Sequence, residues 1–336
     1  MATDPVLDWL LEPADPPVRL RTLTDLMGCG EDDPDVRKAR QAVMAAGPIP
    51  RLLAEQNEDG SFGDPTRFYT DKYEGSAWTL LLLAELGADG GDPRVRRACE
   101  FILRRSRNPE TGGFSYTSGV RTGQGLESGV IPCLTGNMAF SLVRLGMLGD
   151  DRAVQAIQWI LRWQRADDGD TKPPKGPPYD RYEMCWGRHS CHMGVAKALK
   201  ALAAIPEPRR SPEVRAKIDE FLDYFFRHHL YKRSHNLAEI AKPGWLKLGF
   251  PLMYQTDILE LMEICATLGR WDPRLQDALD ILKGKVLPDG RCRLENSFNG
   301  KMRIRIDQKG QPSKWITLKV QRVLRRFAES GQGGSP

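Results

Sequence analysis

The residues with the most chemical potential are crowded into one short stretch. Cys185, His189, Cys191 and His192 fall within eight residues of a 336-residue chain that has only five His and seven Cys. Thiolate and imidazole are the ligands zinc prefers, and three protein ligands with one open position make a catalytic zinc site. Cys133 stands about sixty residues earlier, in Pro-Cys-Leu-Thr-Gly-Asn. If both segments open helices that run side by side, Cys133 meets Cys191 and His192, with Cys185 as a possible fourth ligand. A helix N-terminus favours thiolate over thiol, which adds to the expectation. His189 lies three residues before His192 and four after Cys185, so it shares a helical face with them. It is the candidate proton-transfer group beside the metal. The bland alternative is that both Cys fill small core gaps and both His are satisfied polar groups.

Such a site needs elements to position it, and those come from repetition. Gln56-Asn57-Glu58-Asp59-Gly60-Ser61-Phe62-Gly63 closes one helical stretch. Gly112-Gly113-Phe114, then Asp167-Asp168-Gly169, then Asp289-Gly290 close others. The marks recur every fifty to sixty residues, with one degenerate turn expected near His228–His235. Before each mark the apolar residues repeat at three and four, as in Ala98, Phe101 and Ile102. After each mark comes a helix apolar on several faces, starting near Trp78, Met138, His192, Ile258 and Ile316. With an earlier pair near Val6–Leu11 and Val18–Met27, this gives six outer and six inner helices. The expected fold is all-α, one six-hairpin (α/α)6 toroid over residues 1–330, with a short disordered tail at 331–336. Six hairpins close on themselves and leave no exposed end repeat.

Lys72, Cys133, Cys191, Tyr254 and Lys314 mark a second register, each three residues before a small or polar residue near the start of an inner helix. Asp257 is the one acid in that register, either a helix cap or a general acid. Tyr73, Trp186 and Tyr254 fall near the same mouth and would suit an apolar or cationic guest. Residues 291–306 alternate around Asn299-Gly300 and predict a β-hairpin with Arg303 and Arg305 on one face, as surface decoration or an anion clamp.

The segment Gln56–Gly63 resembles the glutamine-aromatic repeat of squalene and terpene cyclases and of protein prenyltransferase β-subunits. The resemblance implies an α/α toroid with a cavity at one mouth. Cys133 is similar to the zinc-binding Cys of the prenyltransferases, though the Asp two residues before it is Ile131 here. Cys133 with Cys191-His192 is similar to the zinc set of lanthionine cyclases, though Met193 separates the pair from Gly194. Both families use zinc to hold a substrate thiolate. The resemblance thus implies a zinc enzyme acting on a thiol-bearing or apolar, isoprenoid-like substrate. The Asp-x-Asp-Asp acid of class II cyclases and the Asp-Asp-x-x-Asp of class I are absent from the sequence. A metal-free cyclase using Asp257 as its acid is a second expectation, and a binding toroid without catalysis a third.

Composition narrows the classes further. A net charge of +5 with no long Lys/Arg run gives no reason to expect nucleic acid. No apolar run is long enough to cross a membrane. The scattered, odd number of Cys and the absence of a leader pattern predict a cytoplasmic protein with reduced thiols.

Overall fold

The computed structural model describes residues 4–328, so the expected tail at 331–336 lies outside the described residues. Among the described residues fourteen α-helices follow in chain order. α1 (Pro5–Leu10) and α2 (Pro16–Arg21, continued by a π-turn through Leu26) form the first hairpin. α3 (Pro34–Ala45) and α4 (Pro48–Ala54) run outside α5 (Ser76–Leu86). α6 (Pro93–Arg105) lies outside α7 (Pro132–Arg144). α8 (Asp151–Trp163) is followed by the short α9 (Glu183–Trp186) and the inner α10 (His192–Ala204). α11 (Pro212–Arg227) backs α12 (Ile258–Leu268), and α13 (Gln276–Gly284) backs α14 (Lys314–Phe327).

Burial separates the two rings as the patterning predicts. On α6 the buried residues are Val95, Ala98, Cys99, Phe101, Ile102 and Leu103, one stripe of an amphipathic helix. On α5 every residue is buried except Glu85. α5 packs on α7, α7 on α10, α10 on α12, α12 on α14, and α14 returns to α2. The tightest of these seams is α7 against α10, where Gly136 meets the backbone of Lys197; a Cβ there would lie 2.5 Å from the Lys197 carbonyl carbon.

The turn marks explain the closure. Gly60 has φ +89°, and a Cβ on it would strike the Arg97 carbonyl of α6, the next outer helix. Gly112 meets Gln155 of α8 in the same way. Gly290, in the last hairpin, meets Val6 of α1. The last repeat therefore docks on the first as the others dock on their successors. A hydroxyl at the start of the inner helix holds each of these turns. The Phe62, Phe114 and Cys292 N–H groups donate to Ser76 Oγ (2.9 Å), Thr135 Oγ1 (2.9 Å) and Thr317 Oγ1 (2.8 Å). The fold is the expected α/α toroid.

The small sheet is present but displaced from its expected place. Strands β1 (Lys232–Arg233) and β2 (Asn236–Ile240) pair antiparallel in the degenerate fifth turn. Residues 291–306 form no ladder, because their backbone donors go elsewhere. Leu294 N–H donates to Gln311 O, and Glu295 and Asn296 N–H both donate to Leu248 O. The Asn299 amide closes the loop in place of paired strands, donating to Ile306 O and Asp307 O and accepting from Ile306 N–H. The alternation survives without the ladder: Met302, Ile304 and Ile306 are buried, while Arg303 is half-buried and Arg305 exposed.

Candidate functional site at the aromatic mouth

The N-terminal ends of the inner helices carry an aromatic wall. Tyr73 packs on Trp78 (5.0 Å between ring centres), Phe298 (4.4 Å) and Tyr254 (6.2 Å, stacked). Tyr69 lies 4.9 Å from Trp78, whose indole N–H donates to the Tyr69 carbonyl (2.7 Å). The Lys72 ammonium sits over two of these rings, 5.0 Å from Tyr254 and 5.5 Å from Tyr69. Tyr73 N–H donates to Lys301 O, which fixes the wall to the 298–306 loop. Burial raises the Tyr69 and Tyr73 phenols above their ordinary range, so both stay neutral.

The wall continues into an open groove. Tyr69 is 6.2 Å from Tyr116, and Tyr116 is 6.2 Å from Tyr182. The two phenols share a hydrogen bond of 2.8 Å, and the Tyr182 hydroxyl also contacts Ser128 O at 2.7 Å. Tyr116, Ile131, Tyr182, Glu183, Met184 and Cys185 line a space of about 730 Å³. Met184 is 85% exposed on its rim, an unusual place for a large apolar side chain and one that a guest would cover.

The expected metal ligands do not all converge. Cys133, Cys185 and Cys191 lie within electrostatic reach of one another. Burial pushes the Cys133 thiol up to about 12, with Cys191 and Cys185 adding to it, and pushes Cys185 up to about 12. The His192 ring turns to a different neighbourhood, stacked on Trp245 at 4.0 Å and edge-on to Phe225 at 4.8 Å. Burial, then the nearby His228, pushes it down to about 3. Among the described residues no group of three or more His, Cys, Asp and Glu is placed to hold a metal ion. The donors expected for zinc therefore do not fit it.

Other expected site residues are placed as follows. His189 is largely exposed on the Asp167–Gly169 turn, 3.5 Å from Asp168, which also faces His228 at 3.2 Å. Trp186 is core, packed on Trp159 (5.7 Å) and Tyr179 (5.5 Å). Asp257 caps α12, accepting from Glu260 N–H (2.8 Å) and Gly249 N–H (2.9 Å). It is 1% exposed, and burial raises its carboxyl to about 7. Arg303 is engaged, donating to Glu74 O and to the Glu55 carboxylate, both at 2.6 Å, so it ties the last repeat to the second. Arg305 is exposed.

The opposite end of the ring is charged. Lys197, 1% exposed, donates to both oxygens of Glu260 at 2.8 Å. Lys200 bridges Glu260 (2.9 Å) and Glu85, and Lys319 pairs with Glu263 at 2.5 Å. Burial alone would raise the Glu260 carboxyl, but Lys197 and Lys200 hold it down to about 2. Sequence patterning did not single out these residues, nor Tyr69, Tyr116 and Tyr182 of the mouth; Lys72 and Trp78 entered it only as marks of the helix register. For the charged end a signal was available: isolated charges on helices otherwise apolar on every face.

No helix among the described residues is long and apolar enough to cross a membrane. No protein-family model and no curated protein matches the sequence. Solved structures similar to the chain include a protein from Actinoplanes, 16% identical over 96% of this chain and 90% of that one, with a TM-score of 0.43. The type II terpene cyclase MstE from Scytonema, solved in variant form with its product merosterolic acid A, is 13% identical over 97% and 99% (TM-score 0.42). Cellobiose 2-epimerase from Spirochaeta thermophila is 17% identical over 90% and 73% (TM-score 0.41).

Proposed function

We propose that the protein is a toroid enzyme that takes a small apolar substrate, of the linear isoprenoid class, at the aromatic mouth. One observation carries this reading: the Lys72 ammonium rests over the faces of Tyr69 and Tyr254. Ring faces that attract a cation can also stabilise positive charge that develops on a bound hydrocarbon, once the guest displaces the Lys72 ammonium, which would otherwise repel that charge. The groove from Tyr116 to Met184 supplies the apolar contact area, and the neutral phenols of Tyr69 and Tyr73 supply polar ends without net charge. The isoprenoid class rests on the repeat resemblance together with this wall. Asp257 enters as a positioning residue, holding the start of α12 and the segment that carries Tyr254. No step is assigned to zinc, because the available donors do not gather.

The test is turnover of linear isoprenoid alcohols, with products identified by mass spectrometry. Wild type should convert at least one of them, and Tyr254→Leu should lose most of that activity while keeping its melting temperature. Conversion that is unchanged in Tyr254→Leu, or the absence of both conversion and saturable binding in wild type, contradicts the reading. Asp257→Asn separates the roles of that residue. A positioning role predicts a raised KM with kcat largely retained, whereas a proton donor would lose kcat.

A further inference from the structure

The charged end of the toroid encloses a basin of about 180 Å³, reached by residues from all six inner helices. That is below the ~300 Å³ at which pockets for larger organic ligands begin, and it suits a compact ion with a few waters. Its carboxylates are already engaged. Glu260 and Glu85 hold Lys197 and Lys200, Glu263 holds Lys319, and Asp25 faces Arg21 at 3.2 Å. Arg322 donates to the Thr267 hydroxyl (2.9 Å) and stands 3.8 Å from Glu263. Arg144, at the end of α7, also lines the basin and has no ion pair or hydrogen bond among the described residues. It is open to solvent yet has protein around it, as befits a group on the wall of an open basin.

We propose that this basin binds a small oxyanion of the phosphate class, held between Arg144, Arg21 and Arg322. Three guanidinium groups from α2, α7 and α14 converge there, and one of them has no carboxylate of its own. The planar fork of Arg matches tetrahedral oxyanions in two-point contacts that Lys does not reproduce. A second cavity shares Asp25 and Arg322 with the basin and adds Arg325 and Arg326. It gives an incoming anion a basic approach from outside. Arg21, ahead of burial and with Arg322 adding to it, lowers Arg144 to about 10, and Asp25 and Glu85 offset this only in part. A bound anion would relieve the like-charge crowding. The site lies at the other end of the ring from the mouth and stands independently of the substrate proposed there.

Calorimetric titration of the full chain with inorganic phosphate and with pyrophosphate, in chloride buffer, tests this. Wild type should bind at least one of them saturably. Arg144→Gln should weaken that binding by about tenfold or more, as expected for loss of a charge-assisted contact. Arg144→Lys keeps the charge, loses the fork, and should fall between the two. Without added anion, neither variant should melt below wild type, since Arg144 has no partner to lose. Absence of saturable binding in wild type overturns the proposal. So does wild-type affinity in both variants. A marked fall in the anion-free melting temperature would assign Arg144 to structure instead.

Discussion

The two ends of this ring answer opposite physical problems. At the mouth, aromatic rings and neutral phenols face an open apolar groove, and the Lys72 cation lies over ring faces rather than on a carboxylate. At the far end, carboxylates and cations from six helices face one another across a narrow basin. The mouth is built to receive something that water solvates poorly. The basin satisfies its own charges almost completely, and its stability depends on that balance.

The largest effect should come from unbalancing the basin. Glu260→Gln leaves Lys197 buried without a counter-charge and should cost about 3–5 kcal/mol in denaturant unfolding. The double variant Lys197→Met with Glu260→Gln should regain much of that loss. If Glu260→Gln proves harmless, the network is not what holds this end together. Next in size is the seam between the halves. Gly136→Ala forces a methyl onto the Lys197 backbone and should destabilise by about 1–3 kcal/mol. An unchanged unfolding midpoint would show that α7 and α10 part more easily than their packing implies.

The same contrast extends to pH. The Glu260 carboxyl is depressed in the fold, so its contribution is present above its ordinary value of 4.5 and is lost as pH falls toward about 2. Asp257 is raised, so its contribution is present below 3.8 and is lost as pH rises through about 7. Asp257→Asn should flatten the decline between these values and leave the acid limb intact. A decline that persists in Asp257→Asn assigns that limb to another group. The smallest expected effect on stability is at Arg144, where Arg144→Gln should leave the anion-free melting temperature unchanged or slightly higher.

The ring itself was legible in the sequence, because glycines at positive φ and apolar helix faces are local signals. The starts of α10 at His192 and of α12 at Ile258 fall where the patterning puts them. The chemistry was less legible, because density along the chain says nothing about direction in space. Cys191 and His192 are neighbours in sequence, yet His192 turns to Trp245 while Cys191 stays near Cys133 and Cys185. The alternation of 302–306 is real as a burial pattern but not as the expected hairpin, because strand pairing depends on where backbone donors find acceptors, and Leu248 lies far away in sequence. Tyr116 and Tyr182 were missed because they sit in long connections with no periodic pattern.

The central claim is that the aromatic mouth, and not the charged basin, receives an apolar guest. The most direct measurement is equilibrium binding of a linear isoprenoid alcohol to wild type, Tyr254→Leu and Arg144→Gln in one assay. The account predicts saturable binding that Tyr254→Leu weakens by about tenfold, at the upper end of what one aromatic contact contributes, and that Arg144→Gln leaves unchanged. Binding that is indifferent to Tyr254, or that is lost in Arg144→Gln, would contradict it.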